Sequence, residues 1–249
     1  METWFVAFLL TLVRTAALIA VFPMFSGRNM PHLVKIGLVV VITGTLSTMA
    51  GNLADIPPGM WSSWVWWAFA VARETLVGGT LGVLFGLLLL PAQIAGAYFA
   101  QEMGLTMASV TDPSSGSSVS VPSQMLSVLG TLLFFGLNLH HHLIRVLAFS
   151  FETRPVGADW SLPSPLCVLA GMADAHEAGL LIAAPAGIVL FAALVVILIT
   201  MRVAQQFNLF SYGLAIRVGV GLLTAILFLP EMCQLINRMY LRLATRLAV

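Results

Sequence analysis

Ionisable side chains stand in this sequence where an apolar chain has little use for them. Arg14, Arg145 and Arg217 each fall near the middle of a hydrophobic segment, and the pair Arg73–Glu74 opens another. An arginine at the centre of a lipid-facing helix costs ~2.5–3.5 kcal/mol on insertion scales. These groups are therefore expected to be buried against protein or water. They would line a polar pathway or a subunit interface, snorkel, or form internal ion pairs with Glu74, Glu102 or Glu231. Three imidazoles, His140, His141 and His142, suggest a metal, but successive helical residues point about 100° apart and cannot share one ion as an i, i+4 pair would. There is no H-E-x-x-H, and His176 is distant in sequence. A nucleophile elbow, a P-loop and a dinucleotide fingerprint are also lacking. The expectation is a non-enzyme with no metal and no cofactor.

Two further patterns carry physical meaning. The run Gln101–Val128 is rich in hydroxyls and small residues, lies between strongly apolar segments, and holds Val110, Thr111, Asp112, Pro113, Ser114, Ser115, Gly116, Ser117, Ser118, Val119 and Ser120. Irregular backbone at membrane depth is tolerated only inside protein or beside a water-filled cavity. The run is thus either a solvated turn or a loop that lines or obstructs a pore. Met103 and Met107, one helical turn apart, and Met125 just after the loop could give a deformable seal, or could fill a core. Gly78, Gly82 and Gly86 recur every fourth residue. Their missing side chains share one helix face and admit another backbone, from this chain or from another subunit.

The elements that must position these groups follow from composition. Of 249 residues 59% are hydrophobic and 8% charged, 11 basic and 10 acidic, against ~62 charges if a quarter of residues carried one. A soluble domain of this length cannot hide so many apolar groups, whereas a bilayer solvates them. The mean hydropathy of +1.00 agrees. A net charge of +1 argues against nucleic-acid binding. Cys167 and Cys233 show no metal spacing and read as apolar filler. Spans are expected at Thr3–Phe25, Ile36–Ala54, Thr75–Gln101, Ser123–Ser150, Ala178–Met201 and Val203–Pro230, with Trp61–Val71 as an interfacial or re-entrant helix. The first segment opens on Glu2, without a basic cluster or a small-residue cleavage site, and is taken as a retained span rather than a signal peptide. No low-complexity linker divides the chain, so residues 1–249 are expected to form a single all-α integral membrane domain. Orientation by loop charge is contradictory. Arg28 and Lys35, and also Arg238, Arg242 and Arg246, favour the cytoplasm, which six alternating spans cannot all satisfy. Either Trp61–Val71 also crosses, or some helices do not cross lipid.

Five segments in order, VFPMFSGRNMPHLVKIGLVV (21–40), ETLVGGTLGVLFG (74–86), QEMGLTMASVTDPSSGSSVSVPSQML (101–126), NLHHHLIRVLAFSFETRPVG (138–157) and RVAQQFNLFSYGL (202–214), give the chain its resemblance to the FliR family of flagellar export proteins. The virulence counterparts of that family are the SctT-type proteins of type III secretion. The resemblance implies helical hairpins stacked in a helical hetero-oligomer at the bacterial inner membrane, at the base of a flagellum or secretion system. It implies FliP-like and FliQ-like gate subunits, contacts with FlhB-like and FlhA-like proteins, lipid around the assembly, and unfolded polypeptides in transit. The family's plug loop falls on about Val110–Pro122, while its main methionine gasket belongs to the FliP-like partner. Leu139 replaces a usual glycine, Gln205 a usual proline, and Leu214–Ala215 a usual Phe-Pro pair. A self-contained secondary transporter, with central arginines binding a small anionic solute, is the competing expectation. A third is an intramembrane metalloenzyme using His140 and His176.

Overall fold

The computed structural model describes residues 2–26, 31–49, 63–105, 121–156, 165–203 and 212–247, and among them there are helices and no strand. In order these are α1 (Glu2–Val21), the short α2 (Pro23–Ser26), α3 (His32–Met49), α4 (Trp64–Gly86), α5 (Leu90–Glu102), α6 (Val121–Gly136), α7 (Leu139–Thr153), α8 (Pro165–Val203), α9 (Leu214–Leu227) and α10 (Leu229–Leu247). Helix is the form an apolar chain must take in hydrocarbon, because each backbone donor and acceptor is then satisfied within the segment. The windows Trp4–Val21, Trp64–Gly86 and Val168–Val203 are long and apolar enough to cross a membrane, and the number rises to 5 if each of two bent pairs counts as one span. The chain is therefore an all-α membrane protein, with three to five candidate spans where the sequence suggested six.

The differences come from helix breaks. The aromatic segment is not a separate interfacial helix: Trp64, Trp66 and Trp67 lead directly into α4, while Trp61 lies outside the described residues. The expected span Thr75–Gln101 is interrupted at Leu87–Leu89, a turn closed by the Leu87 N–H donating to the Val83 carbonyl at 2.9 Å. Pro91 stands two residues beyond that turn, and its ring would collide with the carbonyl four residues back, at Leu87, if the helix ran on. Ser123–Ser150 is divided at Asn138, whose φ of 56° is left-handed, a conformation asparagine tolerates better than most residues. The last apolar segment breaks at Phe228, two residues before Pro230.

By its internal contacts the chain groups into two compact units: Met1–Leu87 with Asn138–Gly171, and Leu88–Leu137 with Met172–Val249. In the first unit α1 packs along α4 and α3, burying Leu10 and Leu18 of α1, Phe22 just beyond its end, and Leu84 and Phe85 of α4. In the second, α5 and α6 form a close antiparallel hairpin. A Cβ on Gly130 would lie 2.5 Å from the Ala92 Cβ, and one on Gly96 2.9 Å from the Ser123 Cα, so the partners run in opposite directions. The core of this unit gathers Ala95, Phe99 and Met103 of α5 and its turn, Leu126 of α6, Ile182, Ala183, Ala186 and Leu190 of α8, and Met232 of α10. Much of α8 stays bare, with 22% of the Val168–Val203 window buried within the chain. Such a surface needs lipid or another subunit against it.

Candidate functional site

The most concentrated chemistry lies in the first unit, where α1, α4 and the end of α7 converge. On α1 the buried positions Ala7, Leu10, Thr11, Arg14 and Leu18 recur at helical spacing, so Arg14 faces the same interior as its apolar neighbours. The hydroxyls on this face need no outside partner. Thr11 donates to the Ala7 carbonyl at 2.8 Å and Thr15 to the Thr11 carbonyl at 2.9 Å. Arg14 is fully buried and donates Nε to Glu74 Oε2 at 2.5 Å. Its Nη1 donates to the Ser150 carbonyl at 2.9 Å and to Ser150 Oγ at 3.2 Å, and its Nη2 to the Arg154 carbonyl at 2.9 Å. The guanidinium carbon lies 4.3 Å from the centroid of the Phe151 ring. Arg73, also buried, approaches Glu74 Oε1 at 3.5 Å and donates both terminal nitrogens to the Pro155 carbonyl at 3.3 Å.

Two guanidiniums thus share one carboxylate, and the excess positive charge is met by carbonyls at the C-terminal end of α7. That end carries the negative pole of the helix dipole and its unsatisfied carbonyls, so cations there are favoured twice over. Ser150 Oγ donates its O–H to the Leu147 carbonyl at 2.6 Å, leaving its lone pairs to accept from Arg14. The planar fork of Arg14 spreads its donors over three nitrogens and so reaches a carboxylate and two separated backbone carbonyls, a span that the single nitrogen of a lysine lacks. The arrangement is a clamp that ties three sequence-distant helices together.

The glycines sit on the same α4 helix. A Cβ on Gly78 would collide with the Arg14 carbonyl, one on Gly82 would lie 2.7 Å from the Leu18 carbonyl oxygen, and one on Gly86 2.7 Å from Pro23 Cδ. All three therefore face α1 and α2 of the same chain. Arg14 projects from α1 beside the point where Gly78 admits its backbone.

The remaining sequence candidates are placed as follows. Arg145, expected to be buried, is exposed: it sits two residues from Leu143 and Leu147, whose face α7 buries, and so points away from it. Arg217 is half-buried, with Nη1 3.6 Å from the point where a Cβ on Gly104 would stand. Its Nε is buried and has no acceptor among the described residues. Met103 is buried and drives its side chain against Gly221, where a Cβ would overlap it, so it fills the core of the second unit. Met125 is 54% exposed. Met107 and Val110–Ser120 lie outside the described residues. The His140 and His141 rings lie tilted by 38° with centroids 4.1 Å apart, and His176 turns Nδ1 to the Met172 carbonyl at 3.3 Å. No three His, Cys, Asp or Glu side chains converge among the described residues. The carbonyls of Ser150, Arg154 and Pro155, and the glycines at 96, 130 and 221, were not singled out by sequence. The glycines carried a signal, since each faces a helix neighbour; the carbonyls carried none.

An all-α chain with several apolar helices, three of whose charged side chains, Arg14, Arg73 and Glu74, bind its helices to one another, is an integral membrane protein built around packing. It belongs to the family of bacterial export proteins, family 1, whose pattern it matches over residues 5–243, and within it to the FliR proteins. The flagellar biosynthetic protein FliR of Pectobacterium carotovorum subsp. carotovorum is 32% identical over 238 residues, 92% of this chain and 87% of that one. FliR of Escherichia coli strain K12 is 30% identical over 236 residues, 90% and 85% of the two chains. FliR of Bacillus subtilis strain 168 is 26% identical over 242 residues, 95% and 91%.

Proposed function

We propose that this protein is a non-enzymatic subunit of a flagellar export gate in the bacterial inner membrane, forming part of the conduit through which unfolded polypeptides leave the cell. In this reading it assembles with FliP-like and FliQ-like subunits, meets FlhB-like and FlhA-like proteins, and uses the segment Val110–Pro122 to obstruct the closed pore. The observation that carries the reading is the family match from residue 5 to 243, shared with relatives named for flagellar biosynthesis.

Physical features of the chain support it. The window Val168–Val203 has 36 residues; at 1.5 Å per residue it is ~54 Å long, against ~30 Å of hydrocarbon. The helix is longer than the bilayer core requires, and its exposed Ile188, Phe191, Val196 and Ile199 need lipid or a partner subunit against them. Arg14 makes four hydrogen bonds within the chain and stacks on Phe151, which spends the group an anion transporter would need for its solute.

Co-expression with FliP-like and FliQ-like subunits and purification through a tag on this chain tests the reading. The expected result is a complex of fixed stoichiometry, together with loss of motility and of flagellar protein secretion when the gene is deleted. A chain that purifies alone and moves a small anion into liposomes would overturn it.

A further inference from the structure

We propose that the groove between α5 and α8 in the second unit is the docking site for a partner-subunit helix that presents a lysine or arginine to Glu102. The groove holds about 240 Å³ and is lined on one side by Tyr98, Phe99 and Glu102 and on the other by residues including Ala183, Gly187 and Leu190. Gly179, Ala183 and Gly187 follow one another every fourth residue along α8. The first of these positions is occupied: a Cβ on Gly179 would lie 2.8 Å from the Ile94 Cβ, so α5 rides directly on α8 there. The last is empty, with nothing within 4 Å of a Cβ on Gly187. Glu102 stands eight residues beyond Ile94, as Gly187 stands eight beyond Gly179. The carboxylate and the vacant glycine notch therefore share one level of the groove.

Charge decides what fits. Glu102 is the last residue of α5, and no basic residue occupies that helix's last turn. Its carboxylate sits at the negative pole of the helix dipole, where an anion is disfavoured. No hydrogen bond or ion pair to it is present among the described residues, and the groove around it is almost wholly apolar. A cation brought there gains from both the carboxylate and the dipole. A phosphate-bearing lipid headgroup would be repelled. A helix is the carrier that fits the rest of the geometry, because an open glycine within a row of small residues lets a second backbone approach closely, the condition for tight helix association in a membrane.

The inference rests on the export-gate reading to the extent that it requires partner subunits. Its test uses the co-expressed complex. Glu102→Lys is expected to lower the yield of complex at least tenfold, and reversal of one lysine or arginine on a partner helix to aspartate or glutamate to restore it. Gly187→Leu is expected to lower the yield comparably, with no charge partner that rescues it. A photo-crosslinking residue at position 98, in otherwise wild-type protein, is expected to join a partner subunit within one helical turn of a basic residue; it reports even where Glu102→Lys fails to fold. Wild-type yields for Glu102→Lys and Gly187→Leu would overturn the proposal, as would crosslinks from position 98 to lipid or to a second copy of this chain. A wild-type chain that captures no partner overturns both readings; a wild-type complex that tolerates these substitutions overturns the groove alone.

Discussion

At the scale of single residues, Glu74 is the side chain on which the first unit depends most. It is the anion shared by two buried guanidiniums, Arg14 at 2.5 Å and Arg73 at 3.5 Å. Glu74→Gln removes the carboxylate that both guanidiniums approach and strips Arg14 of its counter-charge among the described residues. Breaking a buried pair from one side costs ~3–5 kcal/mol, because the abandoned charge stays in low dielectric. Arg14→Met is a different injury: Arg73 and Glu74 remain as a neutral pair, while the Ser150 and Arg154 carbonyls lose their donors. Thermal or denaturant unfolding of the assembled protein in detergent should show Glu74→Gln as the more damaging single change. Arg14→Met combined with Glu74→Gln should cost clearly less than the two singles added together, since neither leaves the same charge stranded. Strictly additive losses would mean that the pair does not act as a unit.

Between elements, what decides is how closely two backbones can lie. The Arg14 and Leu18 carbonyls occupy the space a side chain on Gly78 or Gly82 would need, and backbone cannot rotate away as a side chain can. Gly78→Ala and Gly82→Leu should therefore pry α4 from α1, misplace Glu74 relative to Arg14, and abolish recovery of the assembled complex. Gly44→Ala on α3 is the matched control: nothing lies within 4 Å of its Cβ, and replacing a mid-helix glycine gains ~0.5–1 kcal/mol of helix stability. Wild-type complex yield from Gly82→Leu would refute the packing argument. The spacing of these glycines was legible in the sequence, because a period of four marks a face whatever lies against it; which helix filled it was not. The same limit holds for Arg14. Glu74 could be named as one of three acids available to it, but the carbonyl acceptors lie 136 and 140 residues away, and a backbone oxygen leaves no trace in residue identity. Breaks at Leu87 and Phe228 were under-read for another reason. Hydropathy runs straight through Pro91 and Pro230, while helical hydrogen bonding does not. Arg145 is exposed on the chain taken alone, since a central position in an apolar run does not fix which side of the helix a residue occupies.

For the molecule as a whole, the bare apolar flank of α8 and the ends of the α5–α6 hairpin point to a part that is complete only in an assembly. The hairpin bears directly on the proposed plug. Contacts of Gly96 with Ser123 and of Gly130 with Ala92 hold the two helices together whatever the connection between them, and Gly104, with φ 76°, ends the turn in which Met103 is pinned against Gly221. Leu105 and Val121 are thus fixed points, and the segment between them can be shortened without unseating either helix. Removing Ser114–Ser120 leaves residues 106–113, whose extended reach is ~26 Å. From Gly96 to Leu105 is nine residues of helix and turn, ~13 Å of rise, so the shortened connection still closes. The deletion should accordingly give wild-type amounts of complex, which size-exclusion chromatography of the co-expressed subunits would verify. If the missing serines and Gly116 bar the closed pore, the reconstituted gate should pass ions in planar bilayers under conditions where the wild type is silent. Cells carrying the deletion should be sensitised to monovalent salt. An intact complex with unchanged conductance would remove the plug from this segment and return the hydroxyl-rich run to the status of a solvated turn.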